Sequence, residues 1–165
     1  MRVLGIDPGM SGAVAAYDTG TKTFQILRDF KHLQEIAFAI SELSTEGARA
    51  VLELVSARPG QGVSSMFTFG RATGVALGAL YLTRTPFIET TPTRWQGWAA
   101  KRAIWRAPFD SRGVLGVLRP ECASTVARKK DHNSADAMLM ALWGAAMVDA
   151  GTWVTSRDKH SERIS

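Results

Sequence analysis

The first nine residues of this chain constrain its fold more than any other stretch. Residues 2–7 form a short, mostly apolar run that is typical of a buried strand. The run ends on the carboxylate of Asp7, and the turn-forming pair Pro8-Gly9 follows at once. Burying a carboxylate is costly unless it is paired or binds a metal. An acid at the end of a core strand therefore indicates a functional site, whereas the simpler alternative is that Asp7 begins an Asx-type turn.

The composition excludes several classes of protein. Of the 165 residues, 45% are hydrophobic, which suits one globular domain with a substantial core. No apolar run is long enough to span a bilayer and no signal peptide precedes Asp7, so we expect a cytoplasmic protein without membrane association. The single cysteine, Cys122, argues against a disulfide framework and a cysteine zinc site. The formal net charge of +5 favours a polyanionic partner such as nucleic acid.

Hydrophobic periodicity and turn residues predict an α/β domain with a five-stranded mixed sheet flanked by helices. The sheet is expected to combine an antiparallel meander of the first three strands with two parallel strands. The predicted strands are residues 2–7, 12–18, 22–28, 50–55 and 85–89. The predicted helices are residues 31–45, a segment from the link 58–62 to about Leu82, a helix beginning at Thr91-Pro92, and residues 110–119 and 133–150. We expect the domain to span residues 1–150 and residues 151–165 to form a flexible tail.

Three acids fall at positions where this fold would bring them together. Asp7 ends the first strand, Glu53 lies in the fourth, and Asp136 lies near the start of the last helix. Three converging carboxylates cannot all stay ionised without a cation, and Mg²⁺ takes such oxygen ligands. Two such ions are the usual apparatus for phosphodiester hydrolysis. Taken singly, Glu53 has the alternative of a salt bridge to an arginine, and Asp136 that of a helix-dipole interaction.

Four motifs, in the right order, resemble those of RuvC-type Holliday-junction resolvases of the retroviral-integrase/RNase H superfamily. Gly-Ile-Asp-Pro-Gly at residues 5–9, followed by Ser-Gly-Ala-Val-Ala at 11–15, looks like the first motif. Residues 52–71 resemble the glutamate-bearing motif of the phage-like branch, which ends in Phe-Gly-Arg. Thr-Pro-Thr-Arg-Trp-Gln at 91–96 is similar to a Thr-Pro-x-x-Trp-Gln element, and Ser-Ala-Asp-Ala-Met-Leu at 134–139 to the closing motif.

The resemblance covers roughly residues 1–148 and implies both a fold and an activity. The implied fold is RNase H-like. The implied activity is that of a crossover-junction endodeoxyribonuclease, which resolves four-way DNA junctions by paired symmetric nicks. It further implies two Mg²⁺ ions per active site, with Mn²⁺ as a substitute, branched DNA as partner, a homodimer, and no small-molecule cofactor. In this resemblance Asp7, Glu53 and Asp136 are catalytic metal ligands.

The family usually supplies a fourth acid one helical turn before the last aspartate, and this chain departs from that pattern. Asn133 lies three residues before Asp136, His132 four and Asp131 five. Residues three or four apart share a helix face, whereas residues five apart do not. We therefore expect His132 to be the fourth catalytic and metal-binding residue, as a ligand or as a general base. Asp131 is the alternative if the helix begins only after it and the loop folds back, and His132 could also have no role.

The DNA-binding surface is expected to surround these acids. A glycine-rich loop follows Glu53, and its amides and hydroxyls suit phosphate contacts. Basic residues elsewhere are candidates for neutralising phosphates, although a solvated charge run is the alternative for residues 128–130. The predicted DNA-binding residues are Arg58, Gln61, Ser64, Ser65, Arg71, Lys101, Arg102, Arg128, Lys129 and Lys130.

Aromatic residues near the site have two interpretations each. Bacterial members of the family place an aromatic wedge shortly after the catalytic glutamate, where this chain has Ser56. Phe67 or Phe69 could replace it, although their helical spacing favours a core position. Trp95 and Trp98 could stack on bases, but we favour packing of a helix against the sheet.

Two other functions remain open at this point. One is an RNase H-like nuclease that acts on flaps, replication forks or RNA. The other is a non-catalytic module that binds branched DNA, because Asn133 or His132 replaces an expected acid.

Overall fold

A five-stranded mixed sheet forms the centre of the protein. The computed structural model describes residues 1–9, 11–54 and 62–155. The strands follow the order β3-β2-β1-β4-β5, with β1 and β2, and β2 and β3, antiparallel, and with β4 parallel to both β1 and β5. This arrangement confirms the predicted meander with two parallel strands. The strands are β1 (Arg2–Asp7), β2 (Ala13–Asp18), β3 (Phe24–Arg28), β4 (Arg49–Glu53) and β5 (Phe87–Thr90).

Helices cover both faces of the sheet. The core of one face includes Leu4, Ile36 and Leu80, and the core of the other includes Trp95 and Met138. No helix in the described ranges is long and apolar enough to cross a membrane. The helices are α1 (Leu33–Leu43) and α2 (Val63–Leu82) on the first face, and α3 (Pro92–Arg102), α4 (Ser111–Leu118) and α5 (His132–Asp149) on the second.

Two short 3₁₀ helices precede α5, and the sequence patterns did not predict them. They span Pro120–Val126 and Lys129–Asp131. Beyond α5, Trp153 packs against the second face and lies beneath the guanidinium of Arg49, 5.4 Å from the ring centroid. The predicted flexibility of residues 151–165 therefore stays a prediction for 156–165, which lie outside the described residues.

Helix α5 lies directly on β1 because Gly5 has no side chain. A Cβ at this position would lie 1.9 Å from the carbonyl oxygen of Ala137 and 2.7 Å from the amide nitrogen of Ala141. Side chains alternate along a strand, so Asp7 projects from the same face as Gly5, the face that α5 covers. The close contact at Ala137 thus brings the neighbouring Asp136 to the end of β1 that carries Asp7.

Candidate active site

Two acids end neighbouring parallel strands. The register pairs Gly5 with Val51 and Ile6 with Leu52, so Asp7 and Glu53 come next in the same ladder. Adjacent strands lie about 4.8 Å apart, and the alternation puts both side chains on the α5 face. Glu53 is only 9% exposed.

The three predicted acids come together at this edge of the sheet. The pKa of Asp7 is raised well above its ordinary value, first by burial and then by the negative charges of Glu53 and Asp136. Asp136 carries a pKa of about 6. Burial is the largest cause, while a hydrogen bond from Ser111 and the nearby charge of His132 partly oppose it. The site thus concentrates negative charge in a poorly solvated place.

A neutral donor holds the carboxylate of Glu53. The indole Nε1 of Trp95 donates a hydrogen bond of 2.9 Å to Oε1 of Glu53. The hydroxyl of Ser111 lies 3.5 Å from the carbonyl oxygen of His132, at the start of α5, and partly offsets the effect of burial on the pKa of Asp136. Trp95 is fully buried, which confirms that it packs a helix against the sheet.

The chemistry of this donor set fits a hard divalent cation. Carboxylate oxygens are the ligands that Mg²⁺ prefers, and a cation relieves the mutual repulsion that raises the pKa of Asp7. Within the described ranges, however, no three His, Cys, Asp or Glu side chains stand close enough together to share one ion. The carboxylates therefore repel each other electrostatically, but within the described residues they do not form a complete three-ligand metal site.

Asp131 forms ion pairs with two arginines. Its two carboxylate oxygens accept hydrogen bonds from Nε and Nη2 of Arg128, at 3.0 and 2.8 Å, and Nη1 of Arg28 lies 3.3 Å from Oδ1. These contacts, those of Arg128 first, lower the pKa of Asp131 to about 2. Helix α5 begins directly after Asp131, which meets the first of the two conditions for this residue as a ligand; the second is that the loop folds back to the acids. The arginines nevertheless occupy the carboxylate, so the geometry does not favour it as the fourth ligand.

His132 and Asn133 occupy the first turn of α5. The exposed His132 places Nδ1 3.2 Å from the carbonyl oxygen of Lys129, and its charge acts on Asp136. Asn133 donates from Nδ2 to the carbonyl oxygen of Ser11, at 2.7 Å. Asn133 therefore holds α5 against the turn that follows β1. His132, unlike the uncharged Asn133, interacts electrostatically with Asp136.

Some of the predicted DNA-binding residues lie near the turn after β1 or at the start of α5. Ser64 and Ser65 line an open pocket of about 580 Å³ together with Gly9 and Ser11 of the turn after β1. Lys129 and Lys130 are exposed on the 3₁₀ turn that leads into α5. Arg58 and Gln61 lie outside the described residues.

Others lie elsewhere or are engaged. Arg128 is exposed but bonded to Asp131. Arg102 lies over the ring of Trp98 at 5.8 Å, and both line a cavity with Tyr17. Tyr17 pairs with Val3, so this cavity lies toward the opposite end of β1 from Asp7, roughly 13 Å away at the usual rise of a strand. DNA contacts by Lys101 and Arg102, at the end of α3, stay a prediction.

The side chains of α2 differ from the expected core pattern. Phe67 is 67% exposed, so its interpretation as a core residue is wrong. Arg71, also exposed, lies 5.9 Å from the centroid of its ring. Phe69 is partly buried and lines the same pocket as Ser64 and Ser65. The proposed wedge position, Ser56, lies outside the described residues.

The patterns missed Ser111 and Asp110. Asp110 and Ser111 lie at the start of the predicted helix 110–119, and Asp-Ser before an apolar run is an ordinary helix-start signal. In the structure Ser111 Oγ lies 3.5 Å from the carbonyl oxygen of His132, and the charge of Asp110 adds to the effect of burial in raising the pKa of Asp136. A contact between two helix starts so far apart in sequence leaves no local signal.

Solved structures with the same fold include RuvC from Thermus thermophilus. T. thermophilus RuvC in complex with a Holliday junction substrate aligns with a TM-score of 0.63 and 19% identity, covering 94% of this chain and 99% of that one. A second T. thermophilus RuvC structure aligns with a TM-score of 0.59, at the same identity and coverage. No protein-family model and no curated protein matches the sequence. The chain therefore has the RuvC fold, which confirms the RNase H-like architecture implied by the four motifs.

Proposed function

We propose that the protein is a metal-dependent DNA endonuclease that resolves four-way junctions by paired symmetric nicks. The observation that carries this proposal is the convergence of Asp7, Glu53 and Asp136 at one edge of a sheet with the RuvC fold. The T. thermophilus RuvC of the same fold was solved with a Holliday junction substrate, which supports a branched-DNA partner here.

The three acids would hold two Mg²⁺ ions, and Mn²⁺ would substitute. When bound, such ions activate water and stabilise the charge that develops at the scissile phosphate. The chain supplies the carboxylates, and His132 is the proposed fourth ligand. Asn133 holds the first turn of α5 against Ser11, and so keeps the position of Asp136 fixed relative to β1.

Surrounding residues would hold the DNA. Ser64 and Ser65 offer hydroxyls in a pocket with the turn that follows β1, and Lys129 and Lys130 offer positive charge at the start of α5. A junction presents two symmetry-related strands, so a homodimer is the simplest form of the enzyme.

A labelled synthetic four-way junction tests the proposal. We expect paired symmetric nicks with Mg²⁺ or Mn²⁺ and none with EDTA. Asp7→Asn, Glu53→Gln and Asp136→Asn should each abolish cleavage and leave junction binding largely intact, because basic residues supply most of the affinity. Asp149→Asn removes an exposed acid at the far end of α5 and serves as the matched control.

The products also separate the other functions. Cuts in a single arm would assign the protein to nucleases of flaps or forks, and a mobility shift without cleavage would assign it to junction-binding modules. Near-native turnover in any of the three acid variants would remove that residue from the proposed site.

A further inference from the structure

The segment from α3 to α4 reaches the candidate active site at two points. Trp95, in the first turn of α3, is fully buried and donates from its indole nitrogen to Oε1 of Glu53 at 2.9 Å. Ser111, the first residue of α4, is 6% exposed, and its Oγ lies 3.5 Å from the carbonyl oxygen of His132 in the first turn of α5. Its hydroxyl also partly offsets the effect of burial on the pKa of Asp136. One stretch of chain thus contacts Glu53 and the helix turn next to Asp136.

Aromatic packing makes this stretch a single unit. The rings of Trp95 and Phe109 meet edge to face, with centroids 5.6 Å apart. Trp105 donates from Nε1 to the carbonyl oxygen of Pro108 and packs so closely on Gly113 that a Cβ there would lie 2.5 Å from its ring. The donors at Trp95 and Ser111 are therefore held by the same packed core and have little freedom to turn away.

A neutral hydrogen-bond donor can orient a carboxylate without neutralising its charge, whereas a cation neutralises it. The arginines around Asp131 neutralise its charge and saturate its oxygens. An indole N–H or a hydroxyl fixes the orientation of a carboxylate while leaving its negative charge for another partner. Holding metal-binding carboxylates in this way is a common role of residues behind a metal site.

We propose that Trp95 and Ser111 are positioning residues for metal binding: Trp95 orients the carboxylate of Glu53, and Ser111 helps to hold the first turn of α5, which positions Asp136. The inference rests on the proposed function, because it takes these acids as metal ligands. The competing explanation is that each bond only satisfies a buried polar group. Under that explanation, removing the donor would alter stability and leave metal affinity unchanged.

Conservative variants separate the two explanations. Trp95→Phe keeps an aromatic ring against Phe109 and removes the N–H donor, and Ser111→Ala removes the hydroxyl. Ser111→Thr retains a hydroxyl and should restore wild-type behaviour. Trp98→Phe is the matched control, since Trp98 lies on the same helix and contacts Arg102.

The experiment is a calorimetric titration of the DNA-free protein with Mn²⁺, together with the unfolding midpoint in EDTA. We expect Trp95→Phe and Ser111→Ala to weaken Mn²⁺ binding by about 10-fold or more. Ser111→Thr and Trp98→Phe should bind Mn²⁺ like the wild type. If Trp95→Phe fails to fold, as the midpoint would show, the Ser111 pair decides.

Two failures are distinguishable. Wild-type Mn²⁺ affinity in folded Trp95→Phe and Ser111→Ala overturns the positioning role and leaves the proposed function standing. A wild-type protein that binds Mn²⁺ but leaves junctions uncut contradicts the proposed function. The positioning role would then still stand on the weaker Mn²⁺ affinity of the variants.

Discussion

At the scale of single residues, the same type of side chain can have its pKa shifted in opposite directions. Asp131 lies between Arg28 and Arg128, and its pKa falls to about 2. Asp136, five residues later, has a pKa raised to about 6, chiefly by burial. The difference follows from what each carboxylate contacts, because a charge removed from water is stable only where opposite charge replaces the missing solvation.

Asp136→Asn should therefore stabilise the metal-free protein at neutral pH. The folded pKa of about 6 exceeds the ordinary 3.8, so the folded state binds the proton more tightly and stability falls as pH rises between these values. Above pH 6 the ionised group costs on the order of 3 kcal/mol, which the substitution removes. Chemical denaturation in EDTA at about pH 8 and at about pH 4 measures the gain, which should vanish at the lower pH. An equal effect at both pH values, or the same gain in Asp149→Asn, would contradict this account.

His132→Ala should lower the cleavage rate by about 10-fold or more, because it removes the proposed fourth ligand. His132→Asp should retain substantial activity, since a carboxylate is an acceptable ligand at this position. Single-turnover cleavage of a junction measures the effect. His32→Ala is the control, because His32 is an exposed histidine before α1. An active His132→Ala beside an inactive Asn133→Ala would transfer the role to Asn133.

At the scale of elements, α5 depends on small residues. Ten of its residues are buried, and its backbone meets β1 at Gly5. Gly144 makes a second close approach, since a Cβ there would lie 2.6 Å from the side chain of Val51. The alanines and the single glycine of this helix thus allow it to lie on the centre of the sheet, where it can present Asp136 to the ends of β1 and β4.

Gly5→Ala should push α5 off the sheet. The new Cβ would collide with the carbonyl of Ala137, and overpacking of this kind costs about 3 kcal/mol or more when backbone must move. Urea denaturation measures the decrease in unfolding free energy. Gly97→Ala, at an open position of α3, should instead gain up to about 1 kcal/mol from helix propensity. A native-like Gly5→Ala would mean that the contact with α5 adapts.

At the scale of the whole molecule, the count of 20 lysines and arginines overstates the number of cations available to DNA. Arg28 and Arg128 are engaged by Asp131. Arg119 is bonded to Glu121, to the hydroxyl of Tyr17 and to the carbonyl of Lys22. Exposed cations such as Lys129 and Lys130, next to the acids, are better placed to contact phosphates.

Lys129→Gln with Lys130→Gln should flatten the salt dependence of junction binding. Removing one lysine–phosphate ion pair lowers the slope of log affinity against log salt by about 0.9. Fluorescence anisotropy at several salt concentrations, with Ca²⁺ in place of Mg²⁺, measures the slope. Lys22→Gln with Arg84→Gln removes the same charge from exposed sites near the other end of the sheet and should leave the slope unchanged. Equal slopes in both double variants would assign residues 129–130 to a solvated surface.

The sequence by itself determined the strands, the α-helices and the edge at which the acids meet. The apolar run of β1 ends on Asp7, and Thr91-Pro92 marks the start of α3, as observed. Both signals are local, because strand alternation and proline geometry act within a few residues. The parallel pairing of β1 and β4 then brings Asp7 beside Glu53.

Only the tertiary structure decided which partners surround each acid. Trp95 and Glu53 are 42 positions apart, and Arg28 and Asp131 are 103 positions apart. No periodicity links such residues, since side-chain packing between distant elements sets their contacts. That packing commits Asp131 to two arginines and gives Glu53 an indole donor. The same packing leaves Phe67 exposed despite its helical spacing, because only one side of α2 meets the sheet and α1.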